Sequence, residues 1–188
     1  MEYMGNKEFW NKKFIKRGNV LLNPESSLVG NITYFKKGSV LDLACGDGRN
    51  DLFLLQEGFK VTGVDFSEEA LTRLKDFAKQ ANYSVNTLQA DLNSADFLKD
   101  LGVFDNIVIN HYRFSPNLLG DLAKHISKDG VLFICGFGHK HRVDDRIKKE
   151  DLIQPSDLES LKNSFQQIKE IVSDDERGFI ITYLYRRK

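Results

Sequence analysis

From Ser39 onward, short apolar runs alternate with amphipathic stretches at a regular interval. "SVLDLA" (39–44) predicts a strand, residues 49 to 57 a helix, and "KVTGVD" (60–65) a second strand. Ser67 then caps a helix whose Glu68 and Glu69 suit its positive end, with Leu71, Leu74, Ala78 and Ala81 along one face. "SVNTLQAD" (84–91) is a weaker third strand. "VFDNIVIN" (103–110) is a strong fourth, apolar enough for burial on both faces. Leu118, Leu119, Leu122, Ala123 and Ile126 stripe the next helix, and Asp129-Gly130 turns the chain into "VLFICGF" (131–137).

Strands alternating with helices in this way predict an α/β chain, a Rossmann-like open parallel sheet with helices on both faces. After Gly138 the pattern changes. "HKHRVDDRIKKED" (139–151) is charged and aperiodic and reads as an exposed loop. Ser156 and Glu159 have the spacing of a capping box for a short helix. Residues 165–188 read as two strands around a turn at Arg177-Gly178, an antiparallel hairpin that completes seven strands. Upstream, Phe9, Trp10 and Phe14 share a helix face that ends at Arg17-Gly18, and "NPES" (23–26) opens another helix.

With 188 residues, no repeat and no linker, the chain is expected to form one domain, 1–188. Acidic and basic residues balance at 27 each, so neither nucleic acid nor an anionic membrane is expected as a partner. No apolar run is long enough to span a bilayer, the N-terminal stretch lacks a secretory core, and two isolated cysteines suit a reducing compartment; the expected location is the cytoplasm.

Ligands of open parallel sheets bind beyond the carboxyl ends of the strands, where the winding reverses. The polar residues there are Asp42, Gly46 and Gly48 after the first strand, Asp65 after the second, Asp91 after the third, and Asn110-His111 after the fourth. Asp65 is placed to accept from ribose hydroxyls and Asp91 from an adenine amine. A pyrophosphate would want bare amides at the turn, yet Asp47 occupies it with Asp42 behind. Two like charges about 4 Å apart repel by ~4 kcal/mol at an effective dielectric of ~20. Asp51 also stands where a dinucleotide pattern has its third glycine. These charges favour S-adenosylmethionine (SAM), a cation without phosphate, over NAD.

"VLDLACGDGRN", "VTGVDFS", "QADL" and "ISKDGVLFICGF" resemble the motifs of class I (seven-stranded) SAM-dependent methyltransferases. "FWNKKF…NPESSLVGNI", "HYRF" and "LIQPSDL" are similar to the small bacterial tellurite-resistance and thiopurine methyltransferase type. The resemblance implies that Asp42, Ala44, Gly46 and Gly48 line the methionine half of SAM, with Ala44 where many members have glycine. It implies that Asp65 and Phe66 hold the ribose and an adenine face, Asp91 and Leu92 the adenine edge, and the backbone near Asn110 the ammonium. The segment 1–37 would close over the cofactor, bringing Trp10 to the sulfonium.

Two readings stand for the residues after the fourth strand. In one, His111 is a base or orients the acceptor, Tyr112 lines the site and Arg113 binds an anionic acceptor. In the other, Tyr112 packs the wall while His111 and Arg113 are solvated. Arg49 would pair with Asp47 or meet the SAM carboxylate. His139 and His141 lack metal-ligand spacing, so no metal is expected, and Cys45 reads as a packing residue with a raised pKa. The expected activity is methyl transfer by in-line displacement to a small molecule; the alternative is a catalytically silent SAM-binding sensor or interaction module.

Overall fold

The computed structural model describes residues 7–99 and 101–188, apart from the side chains of Ala95 and Asp96. The first six residues of the expected N-terminal cover lie outside the described residues. Seven strands form one sheet: β1 (Ser39–Leu43), β2 (Lys60–Asp65), β3 (Asn86–Gln89), β4 (Phe104–Asn110), β5 (Ile126–Phe137), β6 (Phe165–Asp175) and β7 (Gly178–Arg187). Their spatial order is β3-β2-β1-β4-β5-β7-β6. β1 to β5 run parallel, and β7 pairs antiparallel with both β5 and β6. The helices are α1 (Lys7–Lys16), α2 (Ser26–Val29), α3 (Arg49–Gln56), α4 (Glu68–Gln80) and α5 (Pro116–Asp121).

Alternation along the central strands separates two apolar layers. Leu41, Leu43, Ile107, Ile109, Leu132 and Ile134 pack on one face with α5 and the 3-10 segment Pro155–Leu161. Val40, Val108, Val131 and Phe133 pack on the other with Leu28 of α2 and Leu54 of α3. Winding proceeds outward from β1 to β3 and then returns across β1 to β4, so the chain reverses between β1 and β4. That reversal leaves a crevice at their carboxyl ends.

Several local expectations shift. α5 ends at Asp121 and continues as a short 3-10 turn, Leu122–Lys124. Ile126 therefore belongs to β5, where it pairs with Phe104. Ala81 is exposed, so the α4 stripe ends at Ala78. The Ser156–Glu159 box does not form; Asp157 takes that place and accepts from the Gln154 N–H at 2.9 Å. α2 is a single turn in which Glu25 is the N-cap and Pro24 lies outside. The loop after β5 is not wholly exposed: Ile147 and Ile153 are buried, and Gly138 bridges to Ile153. Among the described residues, no helix is long and apolar enough to cross a membrane.

Candidate active site

A cavity of about 540 Å³ opens at the β1–β4 reversal, floored by the turn after β1 and roofed by α1. The turn is shaped by positive φ at Ala44 (60°), Gly46 (57°) and Gly48 (87°). Three of its amides are bonded inside the protein. Cys45 N–H donates to Val64 O, Gly46 N–H to Asp65 Oδ2 at 2.9 Å, and Gly48 N–H to Cys45 O. Phe14 of α1 lies over Gly46, where an added Cβ would fall 3.2 Å from its ring. An approaching phosphate would find these donors taken.

Most of the expected residues converge here. Trp10, Ala44, Gly46, Asp65, Phe66, Asp91, Leu92, Asn110, His111, Tyr112 and Arg113 all line the cavity, drawn together from α1 and from the ends of β1 to β4. Asp65 accepts from Gly46 N–H and, through Oδ1, from Ser67 N–H at 2.9 Å. Burial outweighs those amides and raises its pKa. Asp91 is exposed, paired with Lys7 and with Asn93 N–H, which lower its pKa. Asn110 Oδ1 is buried with no protein donor.

Asp42 and Gly48 are not among the lining residues. Asp42 alternates with Leu41 and Leu43, so it points to the opposite face of the sheet, toward Asp51 of α3. Both carboxyls are buried without a donor from another residue. Burial first, and their mutual repulsion with it, raise Asp42 well above the ordinary range; burial lifts Asp51 to about 7. A proton held between them at neutral pH removes Asp42 from the charge ledger of the cleft. Gly48 instead lets α3 approach α4, since a Cβ there would sit 2.2 Å from Leu74 Cδ1.

The acidic turn expected from the sequence is also neutralised. Arg17 holds Asp47 with one nitrogen at 2.8 and 2.7 Å from its two oxygens, and Arg73 adds contacts at 3.1 and 3.3 Å. Arg49 does not reach Asp47; it meets Glu25 at 3.2 Å. What disfavours a pyrophosphate is thus the consumption of the turn amides, not free negative charge. The Cys45 thiol is raised as expected, by burial first and then by Asp51, Asp42 and Asp65.

Trp10 lines the cavity, but its ring is already engaged. Lys13 Nζ sits 4.3 Å from its centroid and Phe14 stacks on it at 5.8 Å. On the far wall, Arg113 donates from Nε and Nη2 to Asp157, both at 2.7 Å, and from Nη1 to Glu150 O at 2.8 Å. Each of the three nitrogens thus has a protein acceptor, and Arg113 ties the loop to the 3-10 segment. Tyr112 donates to Asn93 Oδ1, and burial pushes its hydroxyl up to about 12, which makes it a wall residue and a poor base. His111 follows β4 at φ +53° and contacts Glu25 through Nε2 at 3.2 Å.

A family model described as a methyltransferase domain matches residues 40–130. An uncharacterized methyltransferase of Schizosaccharomyces pombe is 34% identical over 113 residues, 55% of this chain and 74% of that protein. The chain belongs to the class I SAM-dependent methyltransferases. The probable SAM-dependent methyltransferase TehB of Haemophilus influenzae (strain 10810) is 32% identical over 101 residues, 50% of this chain and 34% of its own length. This methyltransferase therefore spans about a third of that relative. The crystal structure of TehB from Haemophilus influenzae superposes with a TM-score of 0.71 at 21% identity, covering 95% of this chain and 67% of that one.

The cleft of this methyltransferase fits a SAM molecule on its own evidence. Asp65 and Asp91 offer acceptors to hydroxyls and an amine, and the unpartnered Asn110 Oδ1 suits an ammonium. Sequence reasoning missed Glu25, which is 1% exposed and contacts His111, Arg49 and Arg177. It also missed Arg17 and Arg73. Nothing in the local sequence marks these partners, because they lie 24 to 152 residues apart. Among the described residues, no group of three or more His, Cys, Asp or Glu side chains gathers as a metal site.

Proposed function

We propose that this methyltransferase moves a methyl group from SAM to a small-molecule acceptor by in-line displacement. One observation carries the reading: a single cleft gathers Asp65, Asp91 and the unpartnered Asn110 Oδ1 around a turn three of whose amides are already bonded within the protein. Bound SAM supplies a methyl group on a sulfonium, which departs as a neutral thioether. The protein's residues then have separate tasks. Asp65 holds the ribose hydroxyls and Asp91 with Leu92 meets the adenine edge, while Phe66 lies along an adenine face. Asn110 meets the ammonium beside Ala44 and Gly46.

α1 limits water entry, with Phe14 over the turn and Trp10 along the wall. Alignment of this kind supplies up to roughly 7–11 kcal/mol of a barrier in favourable cases. The acceptor enters between α1 and the loop after β5, where Ile147, Ile153 and Phe137 supply apolar contact near His111. A cleft of about 540 Å³ suits a small molecule better than a polymer.

Calorimetry tests the reading. S-adenosylhomocysteine should bind and NAD should not; the opposite preference ends it. Asp65→Ala should lower S-adenosylhomocysteine affinity by about 1–3 kcal/mol, because two hydroxyls lose a charged acceptor. Unchanged affinity in a folded variant would place the ribose elsewhere.

A further inference from the structure

Glu25 is the most heavily paired carboxylate of the described residues that face the far wall, and it comes from the short α2 start rather than from the strand ends that build the cleft. Its Oε2 lies 3.2 Å from His111 Nε2, 3.2 Å from Arg49 Nη2 and 3.1 Å from Arg177 Nη1, which also contacts Oε1 at 3.1 Å. Burial opposes its charge, but the hydrogen bonds from His111 and Arg177 and the two guanidinium groups beside it prevail and lower the carboxyl's pKa. The group is therefore an anion. Its backbone is pinned as well, with the Glu25 N–H on Asn50 Oδ1 at 2.9 Å.

We propose that Glu25 is a positioning residue that keeps the neutral His111 ring protonated at Nε2, leaving Nδ1 as the base for a hydroxyl or amine acceptor. The proposal rests on the methyltransferase reading and adds the acceptor class to it. A permanently ionised carboxylate accepts but cannot donate, so the imidazole nitrogen facing it must carry the proton. His111 Nδ1 has no protein partner among the described residues and is not sealed from solvent. The residue is held at two further points: the His111 backbone N–H donates to Cys135 O at 2.7 Å, and the ring packs on Phe137 at 5.3 Å.

Charge around the cleft points to the same acceptors. Lys7, Arg17, Arg49, Arg113 and Arg146 line it, each paired with an acid of the protein (Asp91, Asp47, Glu25, Asp157 and Asp144), while Lys13 lies over the Trp10 ring. Arg177 is shared between Glu25 and Asp175. Around His111, the charges of Arg49 and Arg177 cancel those of Glu25 and Asp175. An oxyanion gains little there, whereas an imidazolium formed during reaction gains the Glu25 charge. In the step, the acceptor's O–H or N–H proton passes to Nδ1. The electron pair left on oxygen or nitrogen forms the bond to the methyl carbon, and the old C–S pair stays on sulfur.

Nitrogen-15 NMR of the histidine side chains, with His111 assigned by its loss in His111→Asn, reads the tautomer directly. The expected result is a neutral ring protonated at Nε2 in the native protein and a mixture of tautomers in Glu25→Gln. With labelled SAM and a panel of catechol, aniline, thiophenol and tellurite, turnover should favour catechol or aniline. Glu25→Gln should lower kcat by roughly tenfold or more, with partial recovery in Glu25→Asp and little change in S-adenosylhomocysteine affinity. An Nδ1-protonated native ring, an unchanged tautomer and kcat in Glu25→Gln, or turnover absent from catechol and aniline would each overturn the proposal. If Glu25→Gln does not fold, the native spectrum and the acceptor panel still decide it. Failure of the native protein to bind S-adenosylhomocysteine would instead overturn the methyltransferase reading.

Discussion

The β1–β3 side of the cleft and the wall beyond β4 are built by different means. On the first side, a five-residue strand and a glycine turn lie within one short stretch, 39–48, and Asp65 and Asp91 join them from the end of β2 and from just beyond β3. On the second, residues 25, 49, 111, 113, 157 and 177 meet through side chains from distant parts of the chain. Local geometry gives a rigid cradle that tolerates few side chains. Long-range ion pairs give a wall whose charges are largely cancelled internally, with the His111 imidazole among them. A cofactor shared across a family suits the first kind of construction, and an acceptor that varies suits the second.

The largest expected effect lies behind the cradle, at the Asp42–Asp51 pair. Because the folded state raises both carboxyls above their unfolded values, it binds more protons than the unfolded chain. Their stabilising contribution is full below the ordinary Asp range and is lost as pH rises from about 4 through about 7. Asp51→Asn removes that loss and can donate to Asp42. Denaturation at pH 8 should show a gain of about 1–3 kcal/mol, and the difference from the native protein should shrink toward pH 5. A variant less stable at pH 8 would mean that the pair is ionised and compensated.

A change on the far wall should spare the cradle. Arg113→Lys keeps the charge but loses the two-pronged contact with Asp157, whose side chain is 7% exposed. It should cost about 1–2 kcal/mol of stability and raise the acceptor KM while leaving S-adenosylhomocysteine affinity as it was. Equal loss of cofactor affinity would show that the two sides are not separable.

The smallest effect is expected at the α1 latch. In Arg17→Gln, Asp47 keeps Arg73, so stability should fall by only about 1 kcal/mol. Cofactor dissociation should quicken, measured by stopped-flow fluorescence of Trp10. A dissociation rate indistinguishable from the native one would mean that α1 is held by Phe14 packing alone.

Legibility in the sequence follows the same division. The strands could be read because alternation and apolar runs report burial of a regular backbone, and Ser67 could be read as a cap because the bond it accepts, from Ala70 N–H, is three residues away. Where two apolar signals overlapped, the reading slipped: Ile126 extends a helical stripe by spacing but enters β5 through its pairing with Phe104. At 156–159 the right spacing held the wrong pair, since Asp157 also had to receive Arg113.

The sequence by itself determined the winding of the sheet, the crevice at its reversal and the placing of Ala44, Gly46, Asp65, Asp91 and Asn110 beside it, since each follows from local period and from strand ends. Tertiary structure alone decided which carboxylates remain charged and where they point. Asp42 turns to the opposite face and shares its burial with Asp51, Asp47 is cancelled by two arginines, and Glu25 becomes the anion that fixes His111. Charge in a folded protein depends on desolvation and on neighbours brought from far along the chain, and neither is written in the spacing of residues.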